Sequence, residues 1–360
     1  MKVALAHDYL TQRGGAERVV ASLQRAFPDA PLYTSLFDPE STFPEFRNGD
    51  VRTLPLDRVR MLRRHHRFAL PFLAHSFSAL EIDADVAVCS SSGWAHGAHV
   101  RGRKIVYCHT PARWLYQTER YLGTSAPRGA RAALSLQRGF LLGWDRRAAK
   151  SAARYVANST VVRGRIRELY DIDAQIVPPP FVLDPNGEQR ALSIDAGFTL
   201  TVARLLPYKN VDAIVAAFAQ RPEQRLVVAG SGPDEQRVRA SAPRNVTFTG
   251  SVDDDELRWL YANCAGLVAA SYEDFGLTPI EAAAFGKPSA VLRFGGYLDT
   301  VVDDTGVFFD EPTPSDIRAA TELLHSTEWD ADAIRAHAAR FSEQRFIARM
   351  RELVEAEARA

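Results

Sequence analysis

Two glutamates, Glu273 and Glu281, are separated by seven residues in the stretch SYEDFGLTPIEAAAFGKP, residues 271–288. A carboxylate accepts paired hydrogen bonds from the two hydroxyls of a cis-diol such as ribose, and a second carboxylate nearby can hold the hydroxyls of a sugar. The alternative for Glu281 is compensation of a helix dipole, since anions are stabilised near helix N-termini. The pair therefore predicts a site for a ligand that carries several hydroxyl groups.

The two glutamates lie at a predicted junction of strand, loop and helix. The apolar run GLVAA indicates a buried strand, and a helix is predicted to start at Pro279 and end near Gly286. This places Glu273 in the loop after the strand and Glu281 in the first helical turn. The backbone N–H groups at this helix start would face phosphate or sugar oxygens. They belong to Phe275, Gly276, Leu277 and Thr278.

Two cations follow the first predicted strand of the second half. The stretch VARLLPYKN places Arg204 and Lys209 five residues apart. Two fixed cations at a strand end suit a diphosphate, and the alternative is a pair of solvated charges near a helix start. The turn AGSGPDE, with Gly230, follows the next strand and is either structural or part of a nucleotide pocket. These loops predict an anion site beside the two glutamates.

A glycine pair follows the first strand of the chain, in TQRGGAERV. Gly14 and Gly15 would let the backbone approach a bulky anion just before a helix, although such pairs are often only turn chemistry. The stretch lacks the spacing of a dinucleotide fingerprint and of a P-loop, which disfavours dehydrogenases and kinases.

A framework of parallel strands must position these loops. Short β-branched runs alternate with helical patterns in both halves of the chain, and this alternation is typical of parallel βα units. Three consecutive prolines, Pro178 to Pro180, begin a predicted linker at about 178–196. We therefore expect an α/β protein of two doubly wound domains that face a central cleft, with ligands at the carboxyl ends of the strands.

Composition narrows the class of protein further. The 360 residues carry 44 Lys and Arg and 44 Asp and Glu, but residues 1–180 hold 26 basic against 16 acidic residues. A basic first half suggests an anionic partner. The three cysteines, Cys89, Cys108 and Cys264, do not form a disulfide pattern, and neither a signal peptide nor a run of 18 apolar residues is present. These features favour a cytoplasmic protein.

Several motifs together resemble the retaining glycosyltransferases of family 4 (GT4), which have the GT-B fold. EDFGLTPIE is similar to that family's pair of glutamates, VARLLPYKNVD to its donor-phosphate motif and AGSGPDE to its glycine turn. The resemblance implies an acceptor-binding domain at 1–185, on which a C-terminal helix at about 341–360 packs, and a donor-binding domain at 190–340. It also implies transfer without a metal or other cofactor.

The same resemblance implies roles for individual residues. Arg204 and Lys209 would bind the diphosphate of a nucleotide sugar, Glu281 its ribose, and Glu273 the transferred sugar. FTGSVDDDEL is similar to the loop near the nucleotide base, which implies contacts from Ser251 and Val252. Gly14 and Gly15 would approach the phosphates, and His109 at the end of IVYCH would lie near the donor sugar, with His7 a less specific match.

HDYL, GGAERV and YCHTPARWLY further resemble bacterial mannosyltransferases of surface polysaccharides. This implies a hexosyltransferase that uses GDP-mannose and a lipid-linked glycan acceptor. Transfer of glucose from UDP-glucose, or of another hexose, to a soluble or natural-product acceptor is the alternative. A sugar-nucleotide 2-epimerase and a non-catalytic nucleotide-sugar-binding protein also remain open, whereas a nucleic-acid partner is not expected.

The segment at residues 57–77, DRVRMLRRHHRFALPFLAHSF, combines arginines with large apolar side chains. Arginines can meet anionic lipid while apolar side chains enter the headgroup layer, and an ordinary surface helix is the alternative. The segment predicts peripheral binding at the inner face of the cell membrane. The residues concerned are Arg58, Arg60, Leu62, Arg63, Arg64, Arg67, Phe68, Leu70, Phe72, Leu73 and Phe77.

Overall fold

The computed structural model describes residues 1–64, 69–117 and 128–360. The chain divides into two compact units, one formed by Met1–Pro180 with Glu343–Ala360 and the other by Phe181–Ser342. Each unit contains a parallel sheet built from successive strands and helices, so the expected α/β architecture with two doubly wound domains is confirmed. Residues 177–197 contain no helix or strand beyond one isolated bridge at Phe181, and the predicted linker lies within them.

The first unit contains nine described strands, most of them short and apolar. They are β1 (Val3–His7), β2 (Leu32–Thr34), β3 (Val51–Thr53), β4 (Glu81–Ile82), β5 (Val86–Ser91), β6 (His99–Val100), β7 (Arg103–Cys108), β8 (Arg154–Ala157) and β9 (Gln175–Ile176). Seven of them form one parallel sheet in the order β3-β2-β1-β5-β7-β8-β9, and β4 pairs with β6. The central strands are buried on both faces, which explains why they are apolar throughout rather than alternating.

The described helices of the first unit before the linker differ widely in length. They are α1 (Gly15–Ala26), α2 (Arg60–Arg64), α3 (Leu70–Ser78), α4 (Arg113–Tyr116), α5 (Arg128–Lys150) and α6 (Thr160–Tyr170). Short 3₁₀ turns occupy Pro44–Asn48, Pro55–Arg58 and Ala95–Gly97. Because the order of the sheet reverses between β1 and β5, the carboxyl ends of these strands and of β7 are where a ligand crevice is expected.

The second unit repeats the plan with six strands. They are β10 (Phe198–Val202), β11 (Leu226–Ala229), β12 (Val246–Gly250), β13 (Cys264–Ala269), β14 (Ser289–Leu292) and β15 (Gly306–Phe309), in the parallel order β12-β11-β10-β13-β14-β15. The helices are α7 (Val211–Ala219), α8 (Glu235–Ala240), α9 (Asp254–Asn263), α10 (Leu277–Ala284), α11 (Tyr297–Thr300), α12 (Pro314–Ser326) and α13 (Ala331–Ala338). Further 3₁₀ turns lie at Pro207–Lys209 and Ala339–Phe341. The order of the sheet reverses between β10 and β13.

The last helix, α14 (Glu343–Arg359), belongs to the first unit. Its apolar face, which includes Phe346 and Met350, is buried in the same core cluster as residues of α1 and β1. The buried carboxylate of Glu357 forms ion pairs with Arg103 at 2.9 Å and Arg154 at 2.6 Å, which connect the end of the helix to β7 and β8. The chain therefore returns to its first sheet after completing the second unit.

Candidate active site

The second unit brings Lys209 and Glu273 together at the carboxyl ends of the neighbouring strands β10 and β13. Lys209 Nζ forms an ion pair with Glu273 Oε1, and the two side chains are only 15% and 19% exposed. Asn210, in a left-handed conformation with φ 52°, donates from Nδ2 to the carbonyl of Ala270 at 2.7 Å and so ties the two loops to each other. A cation and an anion therefore share one sheltered position at the reversal point of the sheet.

The loop that carries Glu273 is held by its own backbone. The amide of Gly296 donates to the carbonyl of Glu273 at 3.1 Å, and the amide of Tyr272 donates to that of Tyr208 at 3.3 Å. The Lys209 ammonium also lies 5.1 Å from the centre of the Tyr208 ring. The carboxylate of Glu273 is thus presented by an ordered loop rather than by a solvated surface turn.

Helix α10 begins at Leu277, two residues before the predicted start at Pro279. Gly276 precedes it with φ 83°, and a side chain at this position would collide with the Tyr297 ring, so only glycine fits. The residue before the helix, Gly276, has no side chain that could cap it, and the N–H groups of Leu277 and Thr278 lie in the first turn, where such groups have no partner within the helix. They can serve an anionic ligand.

Glu281 lies in the second turn of α10, which corrects its predicted place in the first turn. Its side chain is buried, and Oε2 accepts a hydrogen bond from the hydroxyl of Tyr261 at 2.8 Å. Since the helix dipole acts mainly within the first turn, compensation of the dipole explains this carboxylate poorly. Tyr261 orients Glu281, a role that the sequence did not reveal.

The remaining predicted donor contacts of the second unit differ in character. Arg204 is exposed and forms no ion pair with any residue that the structure describes. The side chain of Phe275 is buried and packs on Phe341, with 6.0 Å between the ring centres, so only its backbone faces a ligand. Val252 packs against the core from a half-buried position. Of these side chains, only that of Arg204 is free to meet a phosphate.

Two further loops of the predicted donor site are joined by hydroxyl groups. Gly230, with φ 124°, follows β11 and donates from its amide to the carbonyl of Gly250 at 2.7 Å. Next to it, the hydroxyls of Ser231 and Ser251 lie 2.7 Å apart. The carbonyl of Ala203 occupies the space that a side chain at Gly230 would need, so this glycine is required for packing of the loops. Ser251 itself is exposed.

In the first unit, two histidines meet at one serine. His7 ends β1, Ser90 is paired with it on β5, and His109 follows β7. His7 Nδ1 lies 3.1 Å from both the carbonyl and the hydroxyl oxygen of Ser90, and His109 Nε2 lies 2.8 Å from the same hydroxyl. Burial lowers the pKa of His7, and burial followed by repulsion from His7 lowers the pKa of His109 to about 3. Both rings are therefore neutral at physiological pH.

A neighbouring aspartate, Asp8, organises the loop after β5. Its carboxylate accepts from the amides of Ser92 at 2.7 Å, Trp94 at 3.2 Å and Ala95 at 2.6 Å. The residue is buried, so these hydrogen bonds satisfy a charge that would otherwise be costly to bury. The sequence pattern did not indicate this role, because the bonded partners lie more than eighty residues away.

The glycine pair at the start of α1 accommodates a buried carboxyl group. Gly14 is the residue before the helix and Gly15 the first helical residue. A Cβ atom at Gly14 would lie 2.6 Å from Oε2 of Glu17, so the glycine leaves room for that side chain. Glu17 is 1% exposed, its Oε2 has no hydrogen-bond partner among the described residues, and burial raises its pKa to about 7. Phosphate binding by this loop stays a prediction.

Glu17 is expected to make the protein less stable as pH rises from about 4.5 to about 7. In this range the folded protein keeps a proton on Glu17 that the unfolded chain releases. The free energy of unfolding therefore falls, by about 3 kcal/mol over the whole range. Buried neutral histidines have the opposite dependence. Denaturant unfolding of wild type and Glu17→Gln at several pH values isolates the effect, and a constant difference between them contradicts it.

No group of three or more His, Cys, Asp or Glu side chains within the described ranges is arranged to hold a metal ion. The cysteines at positions 89, 108 and 264 are buried. Burial raises the pKa of the Cys89 thiol to about 11 and that of Cys264 to about 12, so neither is a ready nucleophile.

Comparison with solved structures shows which fold these units form. The chain aligns over 99% of its length with Anabaena Alr3699/HepE in complex with UDP, with a TM-score of 0.72, 17% identity and 100% of that chain covered. It aligns equally fully with the lipopolysaccharide outer core galactosyltransferase WaaB, with a TM-score of 0.67 and 16% identity. These similarities confirm the GT-B fold.

Similarity in sequence is more local. The chain is 33% identical over 223 residues to a D-inositol 3-phosphate glycosyltransferase of Segniliparus rotundus, which covers 52% of this chain and 49% of that protein. It is 30% identical over 140 residues to the O-antigen chain mannosyltransferase C of Escherichia coli, which covers 37% of each. The chain thus spans half or less of the length of these relatives.

Two family models match consecutive parts of the chain. Residues 13–184 match the model for glycosyltransferase family 4, and residues 188–343 match the model for glycosyl transferases group 1. The border between the two matches falls inside the irregular segment 177–197. The chain therefore belongs to the glycosyltransferases that are built from these two domains.

Proposed function

We propose that the protein transfers a hexose from a nucleotide sugar to a glycan acceptor, with retention of the anomeric configuration. The observation that carries the proposal is the sheltered pair of Lys209 and Glu273 at the reversal point of a parallel sheet, in the loop that leads into the helix of the oriented carboxylate Glu281. Similar folds bind the expected ligands, since HepE is described in complex with UDP and with UDP-glucose.

The chemistry requires stabilisation of a leaving diphosphate. Lys209, the exposed Arg204 and the N-terminus of α10 would supply positive charge to that group, which lowers the barrier to an oxocarbenium-like transition state. Glu273 would support the positive charge that develops on the sugar. If the departing phosphate oxygen accepts the proton of the acceptor hydroxyl, the reaction needs neither an enzymic base nor a metal.

For the donor we propose GDP-mannose. Two relatives support it, the O-antigen chain mannosyltransferase C and a GDP-mannose-dependent phosphatidylinositol dimannoside mannosyltransferase of Mycobacterium tuberculosis, which is 28% identical over 123 residues. UDP-glucose is the second candidate because HepE binds it. The names of these relatives also support a glycan or lipid-linked acceptor in polysaccharide or glycoconjugate synthesis.

Thermal unfolding with a panel of nucleotides tests the donor. GDP and GDP-mannose at about 100 times Kd would add about 2.7 kcal/mol to the free energy of unfolding and raise the melting temperature. Stabilisation by UDP and UDP-glucose alone would indicate that the donor is UDP-glucose instead of GDP-mannose. An unchanged melting temperature with every nucleoside diphosphate and sugar nucleotide would contradict a nucleotide-sugar site.

Glu281→Gln is expected to weaken binding of the donor about 10-fold, or about 1.4 kcal/mol, because an amide cannot accept two hydrogen bonds from the ribose diol as a carboxylate can. Isothermal titration calorimetry with the preferred nucleoside diphosphate measures this. Tyr261→Phe is the matched control, since it breaks the internal hydrogen bond and keeps the carboxylate. An equal loss of affinity in both variants would show that Glu281 contributes through its hydrogen bond with Tyr261 and does not bind the ribose itself.

The structure refines the proposed membrane segment. Leu62, Leu73 and Phe77 are buried in the core and cannot enter a lipid headgroup layer, which corrects the expectation for these three residues. Residues 65–68, with Arg67 and Phe68, and the side chain of Arg64 lie outside the described part of the chain. The exposed apolar residues are Val59 at 46%, Met61 at 59% and Phe72 at 54%. No helix in the described ranges has the length and apolar character needed to span a membrane.

We propose peripheral binding of this segment to anionic lipid on the cytoplasmic side of the membrane. Arg60→Glu combined with Arg63→Glu is expected to weaken binding to anionic vesicles at least about 30-fold, because each basic residue contributes about 1 kcal/mol. Co-sedimentation across a salt series measures it. The control reverses Arg345 and Arg349, which are exposed on α14 of the same unit. Equal loss in both variants would mean that binding depends only on net charge.

A further inference from the structure

The hydroxyl of Ser90 lies between the two histidines at the strand ends of the first unit. It is 3.1 Å from His7 Nδ1 and 2.8 Å from His109 Nε2, and Ser90 is 1% exposed. A neutral imidazole has one protonated nitrogen, which donates a hydrogen bond, and one unprotonated nitrogen, which accepts one. Hydrogen bonds to a shared partner therefore determine which nitrogen of each ring is protonated. The arrangement therefore specifies where each ring carries its proton.

The proton on His7 is fixed first. Its Nδ1 lies 3.1 Å from the carbonyl oxygen of Ser90, and a carbonyl can only accept a hydrogen bond. Nδ1 of His7 therefore carries the hydrogen and shares it between the carbonyl and the hydroxyl oxygen of the same serine. The neutral state of His7 is supported by its burial, which lowers its pKa.

The hydrogen of the Ser90 hydroxyl then has one acceptor. His7 Nδ1 is already a donor, and the other described partner of the hydroxyl is His109 Nε2. A buried hydroxyl that donates to nothing is costly, so Ser90 donates to Nε2 of His109. Because His109 is neutral, its own hydrogen lies on Nδ1. That atom makes no hydrogen bond with any described residue.

We propose that Ser90 is a positioning residue, which keeps the hydrogen of His109 on Nδ1 so that the ring presents this N–H to an acceptor oxygen of a ligand at the carboxyl ends of β1, β5 and β7. The inference rests on the proposed function, because the carboxyl ends of these strands are where a ligand of the transfer reaction is expected. The ring is also held in place by the backbone, since the amide of His109 donates to the carbonyl of Ser91 at 2.9 Å and its carbonyl accepts from Asn158 Nδ2 at 2.9 Å.

The tautomer can be measured without any activity. Protein labelled with ¹⁵N at its nine histidines is examined by long-range ¹H–¹⁵N correlation spectroscopy, with His109→Gln used to assign the ring. In wild type, Nδ1 of His109 is expected to be protonated and Nε2 unprotonated. In Ser90→Ala the ring is expected to change to a mixture of tautomers or to protonated Nε2. Protonated Nε2 in wild type would overturn the proposal, even if Ser90→Ala does not fold.

Kinetics provide the second readout. Ser90→Ala is expected to lower kcat about 10–100-fold, as is usual when an orienting partner is removed, and to change the donor KM little. Ser90→Thr, which restores a hydroxyl, should recover most of kcat. Ser78→Ala is the control, since it removes a hydroxyl bonded to Trp144 Nε1 at 2.8 Å, and it should leave both the tautomer and kcat unchanged.

The two readouts separate the possible failures. If wild type transfers no sugar from any donor, the proposed function is wrong, whereas the spectrum still decides whether Ser90 fixes the tautomer. If transfer occurs and Ser90→Ala leaves both the spectrum of His109 and kcat unchanged, the positioning role is wrong and the proposed function stands.

Discussion

Glu273→Gln is expected to lower kcat by about 10²–10³-fold, the range found when a preorganised electrostatic contact to a transition state is removed. The carboxylate is only 19% exposed, so its charge is weakly screened and would act strongly on a sugar that becomes positive as the diphosphate leaves. The amide keeps the shape of the side chain and removes the charge. Release of nucleoside diphosphate under saturating donor and acceptor measures the effect.

The same substitution should spare binding of the nucleoside diphosphate. Without the Glu273 charge, Lys209 loses its ion pair with this residue, so its affinity for phosphate is expected to hold or rise. Glu322→Gln is the matched control, because Glu322 is another glutamate of the second unit that is paired with an arginine, Arg221. A normal kcat in Glu273→Gln would remove this residue from the proposed chemistry.

Lys209→Met is expected to weaken binding of the nucleoside diphosphate by about 10–150-fold, or about 1.5–3 kcal/mol, the usual cost of losing a charge-assisted contact. Two effects add in this variant. The diphosphate loses a sheltered cation, and the Glu273 carboxylate is left unpaired and repels the ligand. Isothermal titration calorimetry with the preferred nucleoside diphosphate measures the change.

A double-mutant cycle separates the two effects. If repulsion from Glu273 contributes, Lys209→Met combined with Glu273→Gln should recover part of the affinity, with a coupling energy of about 0.5–3 kcal/mol. Arg335→Met is the control, since Arg335 is an exposed, ion-paired arginine of the same unit. Arg204→Met should cost less than Lys209→Met because Arg204 is exposed. Unchanged affinity in Lys209→Met would refute the assignment of the diphosphate site.

The sequence predicted the fold because the fold depends on local patterns, and the site residues named from the same windows stay predictions. The apolar run before Glu273 and the repeated alternation of strands and helices are visible within short windows. The helix start was misplaced by two residues because Gly276, fixed against Tyr297, ends the loop earlier than Pro279 suggested. Tertiary contact, rather than helix propensity, sets that boundary.

The residues that orient the site could not be predicted from the sequence, since they act over long distances along the chain. Ser90 is 83 residues from His7, and Tyr261 is 20 residues from Glu281. The exposure of individual apolar residues in 57–77 could likewise not be predicted, because an apolar residue gives the same sequence pattern whether it packs on the core or contacts solvent. Leu73 and Phe72 are adjacent in the sequence, yet Leu73 is 0% exposed and Phe72 is 54% exposed.

The most direct test of the account is a transfer assay. The enzyme is incubated with the donor that stabilises it and with a membrane-derived glycolipid fraction, and the released nucleoside diphosphate and the sugar incorporated into glycolipid are measured together. The account predicts equimolar nucleoside diphosphate and glycosylated product with wild type, and at least about 100-fold less of both with Glu273→Gln. Conversion of the donor into a second sugar nucleotide without release of nucleoside diphosphate would indicate a 2-epimerase. Tight binding of the donor with neither reaction would indicate a non-catalytic binding protein, and either result would contradict glycosyl transfer.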